Sequence, residues 1–176
     1  MHFTWGSKMF RQLFRVGIGL LAAALLLGCD AQRISELEEG LATEADVRAR
    51  FGEPDRIWPG EAGERTLEYD RQPEGLRNYM ITIGADGRMS ALRQVLTPAN
   101  FARIQPGMSQ QDVQRILGKP ARVTPWERQG EVHHVWRFLE SPNRTMLFTA
   151  VFDRADRVLR TDIAPEPGAQ DQGGGR

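Results

Sequence analysis

The chain has a single cysteine, Cys29, in 176 residues, so no internal disulfide staples it and no second thiol helps to hold a metal. It carries only three histidines. Two of them, His133 and His134, are adjacent in a strand-like run, where alternation points their side chains to opposite faces and away from a shared ion. No G-x-S-x-G elbow and no Gly-rich loop ending in Lys-Ser/Thr is present, so serine-hydrolase and phosphate-loop chemistry have no motif to rest on. Charge of one sign is also lacking: 23 basic residues balance 23 acidic ones. Three of the basic residues, Lys8, Arg11 and Arg15, precede Cys29, and the remainder is slightly acidic, with a net charge of about −3. A nucleic-acid partner, which needs a concentrated basic surface, is not expected. Finally, the apolar run Val16 to Leu27 has 12 residues, short of the roughly 20 that span a hydrocarbon core.

What is present at the N-terminus is a targeting pattern: basic residues, the short apolar run, then small Gly28 before Cys29. Translation starting at Met1 or at Met9 preserves it. Leu26-Leu27-Gly28-Cys29 resembles the lipobox of bacterial lipoproteins, which implies cleavage before an acylated Cys29. Each buried acyl methylene contributes about 0.8 kcal/mol, so several chains anchor a protein firmly. Residues 1–28 are thus read as a lipoprotein signal peptide and 29–33 as the lipidated N-terminus with a short linker. The resemblance implies a membrane partner through Cys29. In enteric bacteria an Asp directly after the lipidated cysteine resembles an inner-membrane sorting signal, which makes Asp30 the candidate sorting residue.

Beyond the linker the sequence reads as an internal duplication. TEADVRARFGEP, Thr43 to Pro54, aligns with SQQDVQRILGKP, Ser109 to Pro120, at an offset of 66. Gly40 and Gly107 also match if the first copy carries one inserted residue, and Trp58 falls near Trp126. Each copy opens on a hydroxyl N-cap followed three residues later by Asp46 or Asp112, a capping-box pattern with a shortened acid. Val47 and Phe51, or Val113, Ile116 and Leu117, supply an apolar stripe. Gly52 or Gly118 then ends the helix, and Pro54 or Pro120 prevents its resumption. The G-x-P element is therefore architecture.

Strand-like runs follow each helix: Arg65 to Tyr69, Tyr79 to Ile83 and Met89 to Leu96 in the first copy; Val132 to Leu139, Met146 to Phe152 and Val158 to Ile163 in the second. Turns are expected at Asp86-Gly87 and at Asp153 to Asp156. Met146, Phe148, Ala150 and Phe152 share one strand face, so one side of the sheet should be buried against helices. The expected fold class is α+β: two tandem copies of a small unit, 34–98 and 99–164, each with short helices on a three-stranded antiparallel sheet. Either copy alone is small enough to be marginal, so the two should pack together. Residues 165–176, poor in apolar side chains, read as a disordered tail.

The pattern G-M-S-x-x-D-V-x-x-I-L-G-K-P, Gly107 to Pro120, followed by strands, resembles the SmpA/OmlA lipoprotein domain, the BamE-like family. The resemblance implies a non-enzymatic, protein-binding lipoprotein without a cofactor. It also implies a place on the periplasmic face of the outer membrane and envelope proteins as partners, the β-barrel assembly machinery among them. Asp30 points instead to the inner membrane; the outer membrane is favoured because sorting rules differ among bacteria. Tandem copies of this topology are also similar to the β-lactamase inhibitor proteins. The alternative function is accordingly an inhibitor or ligand-binding module that uses a wide tandem sheet face.

For partner binding the candidates are Trp58, Trp126, Arg56 and Arg122, aromatic and cationic side chains in Pro-containing stretches after each helix. A simpler role for each tryptophan is to close the edge of its own core. Trp136 is expected in the core by alternation. Glu36, Glu38 and Glu39 are read as a solvated helix face.

Overall fold

A computed structural model describes residues 37–140 and 143–168. Cys29, Asp30 and Glu36 lie outside the described residues. The chain forms α1 (Glu44–Phe51), β1 (Arg56–Pro59), β2 (Arg65–Asp70), β3 (Asn78–Ile83) and β4 (Met89–Gln94). It continues as α2 (Pro98–Phe101), α3 (Gln110–Leu117), β5 (Arg122–Trp126), β6 (Glu131–Glu140), β7 (Arg144–Phe152) and β8 (Val158–Pro165). Strands β1–β4 and β5–β8 make two separate antiparallel meanders, each in chain order. The protein is α+β, with two tandem units built alike.

Each sheet has four strands rather than the expected three. The additional ones, β1 and β5, lie at sheet edges and contain Pro59 and Pro125. An edge strand tolerates proline because an outward-facing position needs no N–H, and this is why these stretches resemble loops in the sequence.

The two main helices begin and end as the capping residues require. Thr43 and Asp46, and likewise Ser109 and Asp112, form complete capping boxes, so the shorter acid does reach back to the N-cap amide. The same bonds hold both aspartates below the usual carboxylate range, first through the hydroxyl and then through the backbone N–H. At the other end Gly52 (φ 85°, ψ −163°) and Gly118 (φ 74°, ψ −171°) take a conformation open essentially to glycine alone. Their carbonyls are received in parallel ways: the Tyr69 hydroxyl donates to Gly52 at 3.1 Å and the Trp136 indole to Gly118 at 3.0 Å. The segment before each helix is tied to the last strand by Gly40 N–H to Met89 and Gly107 N–H to Val158, each at 2.8 Å, which supports the offset pairing of these two glycines.

Val47 and Phe51 of α1 pack into the first core with Leu67, Tyr69, Tyr79, Ile81, Ile83 and Met89. The second core is larger, because α2 adds Phe101, which stacks on Phe148 at 4.4 Å and meets Phe138 edge-on at 4.7 Å. Helix α2 is too short to leave an apolar period in the sequence. Met146, Phe148, Ala150, Phe152 and Trp136 are all buried there, on the face that alternation assigned.

Three expectations change. Residues 39–41 form a turn, so Glu39 is not on a helix face; its carboxylate accepts the Leu92 N–H and pairs with Arg93. The expected tail begins too early: Pro165 pairs with Met146, and Glu166 donates its N–H to Thr145 and grips Arg137. Third, the outer face of the first sheet is not free. Asn78, buried on β3, donates to the carbonyls of Leu117 (2.9 Å) and Lys119 (3.1 Å), while Gln114 of α3 reaches Glu68 of β2 at 3.0 Å. Helix α3 thus packs its Val113 and Leu117 into the second core while its polar side meets the first sheet. A single wide tandem face is therefore not formed, and the outer face of the second sheet is the one left open.

Candidate protein-binding surface

The four sequence candidates separate into two sites. Arg56 and Arg122 are structural counterparts, each opening the edge strand of its sheet, opposite Glu68 and Val135. The tryptophans are not counterparts: Trp58 pairs with Thr66, a position that Thr124 fills in the second sheet, and Trp126 stands two residues further along.

Trp58 is only 6% exposed. The guanidinium groups of Arg56 and Arg115 lie over its ring at 4.9 and 4.8 Å, and its indole N–H donates to Glu68 at 2.6 Å. Met80 and Val95 complete the cluster. Because Arg115 comes from α3, Trp58 belongs to the junction between the two sheets and is buried there, whereas Arg56, which packs on its ring, is itself exposed.

Trp126 is 48% exposed. It stacks on His133 with ring centroids 5.3 Å apart and planes at 25°. The platform beneath is braced: His133 meets Glu131 at 3.1 Å, and Arg160 grips the same carboxylate with two bonds of 2.7 and 2.8 Å. The bonds from Arg160, then from His133, push the Glu131 pKa down to about 2. His134 points the opposite way, as alternation demands, and lies buried against Phe152; burial lowers its pKa.

Along the same outer face runs a cleft of about 480 Å³, with Val135 and Leu147 among its lining residues and Arg122, Arg137, Pro73 and Glu166 around it. Arg137 is forked onto Glu166 at 2.7 and 2.9 Å and donates to the Pro73 carbonyl at 2.7 Å. Its backbone N–H and C=O also clamp the Gln72 side-chain amide, at 3.1 and 2.8 Å. The walls are therefore held by both halves of the fold. Arg122 has no ion-pair partner among the described residues. The arrangement suits a polypeptide: an aromatic platform, apolar lining residues and a free cation.

Sequence reasoning missed His133, Val135 and Leu147. The signal was present in the alternation, which puts apolar Val135 and Leu147 on the side opposite Trp136 and Phe148. Among the described residues, no group of three or more His, Cys, Asp or Glu side chains is placed to hold a metal ion.

The two tryptophans should respond differently to truncation. Trp58→Ala should lower stability by about 3–5 kcal/mol in urea unfolding, through loss of a buried aromatic ring. Trp126→Ala, at the surface, should change it by less than about 0.5 kcal/mol. Equal stability losses would contradict the assignment.

Residues 94–158 match the family model of the outer membrane protein assembly factor BamE domain. The matched stretch runs from the end of β4 to the first residue of β8. No curated protein matches the chain. Among solved structures, a DUF4309 family protein, YjgB, from Bacillus subtilis is 21% identical, with 74% of this chain and 82% of that one covered and a TM-score of 0.29. A candidate beta-lactamase inhibitor protein from Streptococcus mutans is 11% identical, with 70% and 82% covered and a TM-score of 0.33.

Proposed function

We propose that this chain is a non-enzymatic lipoprotein of the bacterial envelope, anchored through acylated Cys29, that serves as a protein-binding accessory factor in outer-membrane protein assembly. The observation that carries the reading is the match of residues 94–158 to the BamE assembly-factor domain. That stretch contains α3, Trp126 and His133, and most of the strands beneath the open face. The lipobox-like Leu26 to Cys29 supplies the anchor. No helix among the described residues is long and apolar enough to cross a membrane. The two like-built units represent a duplication of one domain, in which the second copy keeps its outer sheet face free for partners.

Membrane fractionation tests the anchor and the address together. The wild type should sediment with outer membranes, and Cys29→Ala should move to the soluble fraction. Replacing Asp30 should leave that outer-membrane address unchanged; a wild type found in inner membranes that moves to outer membranes on replacement of Asp30 would overturn it and show that sorting reads this residue. A photo-crosslinking residue at position 126 should capture envelope-assembly proteins, whereas one at position 58 should not. Recovery of none under gentle extraction would count against the assembly role while leaving the anchor intact.

A further inference from the structure

We propose that the free edge of β8 accepts an extended segment of another protein as an added strand. The inference goes beyond the assembly reading and does not depend on the membrane address.

The last strands of the two sheets, β4 and β8, are structural counterparts. Each carries an irregularity in register at its second residue (Ser90 or Leu159), each begins on a buried residue (Met89 or Val158), and each is tied there to the glycine before the helix. Their outer edges are nevertheless treated differently. In β4, Leu92, paired with Ile81, turns its N–H outward, and Glu39 caps it at 3.0 Å while also engaging Arg93. The same position in β8 is Thr161, paired with Ala150. The residue preceding Gly107 is Pro106, where Glu39 precedes Gly40, and proline has no carboxylate with which to close the edge.

The direction of the Thr161 backbone follows from a second observation. Glu166 donates its N–H to Thr145 on β7. Residues of an antiparallel ladder alternate between facing the neighbour and facing away, so Ala164, Asp162 and Arg160 face β7, and Thr161 and Ile163 turn their N–H and C=O groups outward. Pro165 falls on the outward phase, where its missing N–H leaves no gap in the ladder. No described residue hydrogen-bonds to the outward groups of Thr161 or Ile163.

An exposed edge of this kind is a template for strand addition unless it carries lysine, proline, a bulge or a cover. From Arg160 to Ile163 it carries none of these; the register places the bulge at Leu159, between Arg160, paired with Val151, and Val158, paired with Phe152. The side chains define the occupant. Ile163 and, at the bulge, Leu159 are 48% and 42% exposed and ask for apolar residues in the incoming strand. On the opposite side, Asp162 has no ion-pair partner among the described residues, whereas Arg160 is already tied to Glu131. The matching segment is extended, apolar at every second residue, and basic on its other side.

The test is fluorescence anisotropy of a labelled peptide, Thr-Val-Lys-Val-Thr-Val-Lys, titrated with the full chain in detergent. Saturable binding is expected. It should weaken at least about tenfold in Thr161→Pro, which removes an outward N–H, and by a similar factor in Ile163→Asp, which changes only an exposed side chain. The same peptide N-methylated at alternate amides should not bind. The proposal is overturned by absence of saturable binding, by equal binding of the N-methylated peptide, or by undiminished affinity in Ile163→Asp with the fold intact by circular dichroism. It is likewise overturned if the chain forms a dimer that both variants dissolve and that excludes the peptide.

Discussion

Gly118→Ala should destabilise the protein by about 3–5 kcal/mol, whereas Gly52→Ala, at the matching helix end, should cost about 1–3 kcal/mol. Both glycines have positive φ, and in both cases alanine would carry the same backbone strain. They differ in what a side chain would meet. At Gly52 a Cβ finds no atom within 4 Å; at Gly118 it would lie 2.8 Å from the Asn78 side-chain nitrogen and closer still to a carboxylate oxygen of Asp70. Those two groups are among the ones that hold the second unit to the first: Asn78 donates to Leu117 and Lys119, and Asp70 accepts from the Lys119 N–H at 2.9 Å. Alanine at 118 must displace them and leave buried carbonyls unsatisfied. Urea unfolding of the two variants measures the difference; a gap below about 1 kcal/mol would mean that the junction yields without loss.

The stability that Asp70 contributes should be lost as pH rises from about 4 to about 8, and Asp70→Asn should be free of that loss. Burial, reinforced by a hydrogen bond and by charge repulsion from neighbouring Glu68, pushes the Asp70 pKa up to about 8. An acid whose pKa is higher in the folded state than in the unfolded chain binds more protons when folded. Its stabilising contribution is complete below the ordinary aspartate value and is lost as pH climbs through the folded value. One proton gives at most about 1.4 kcal/mol per pH unit, and less here because Asp70 keeps some contact with water. Asparagine retains the oxygen that accepts from Lys119 and carries no charge to oppose Glu68. Thermal melts should therefore coincide near pH 4 and diverge by several degrees near pH 8, with the variant the more stable. Parallel pH profiles would show that another group sets the slope.

The residues at these two sites mark where sequence reading stops. Helix caps are local: Thr43 with Asp46 and Ser109 with Asp112 lie within one turn, and strand alternation identified Trp136 and the Met146 to Phe152 face in the same way. The junction is not local. Asn78 meets Leu117, and Glu68 meets Gln114, across nearly forty residues or more, and in a strand such polar side chains have the pattern of a solvated face. Trp58 and Trp126 misled for a related reason. Both follow a G-x-P element and both stand on the outer side of an edge strand, but Arg115 of α3 covers Trp58 and leaves Trp126 on the open face. The duplicated pattern was legible as architecture; which copy faces outward depended on contacts between the copies.

Helix α3 serves two sheets, and this orders events in a chain that emerges N-terminus first. When residues up to Gln94 have appeared, the first meander has all its strands, but Asn78, Glu68 and Trp58 still face water or whatever else is near. They are covered only after Gln114, Arg115 and Lys119 arrive. The first half, marginal by itself, therefore has its outer surface completed only by side chains that are synthesised later.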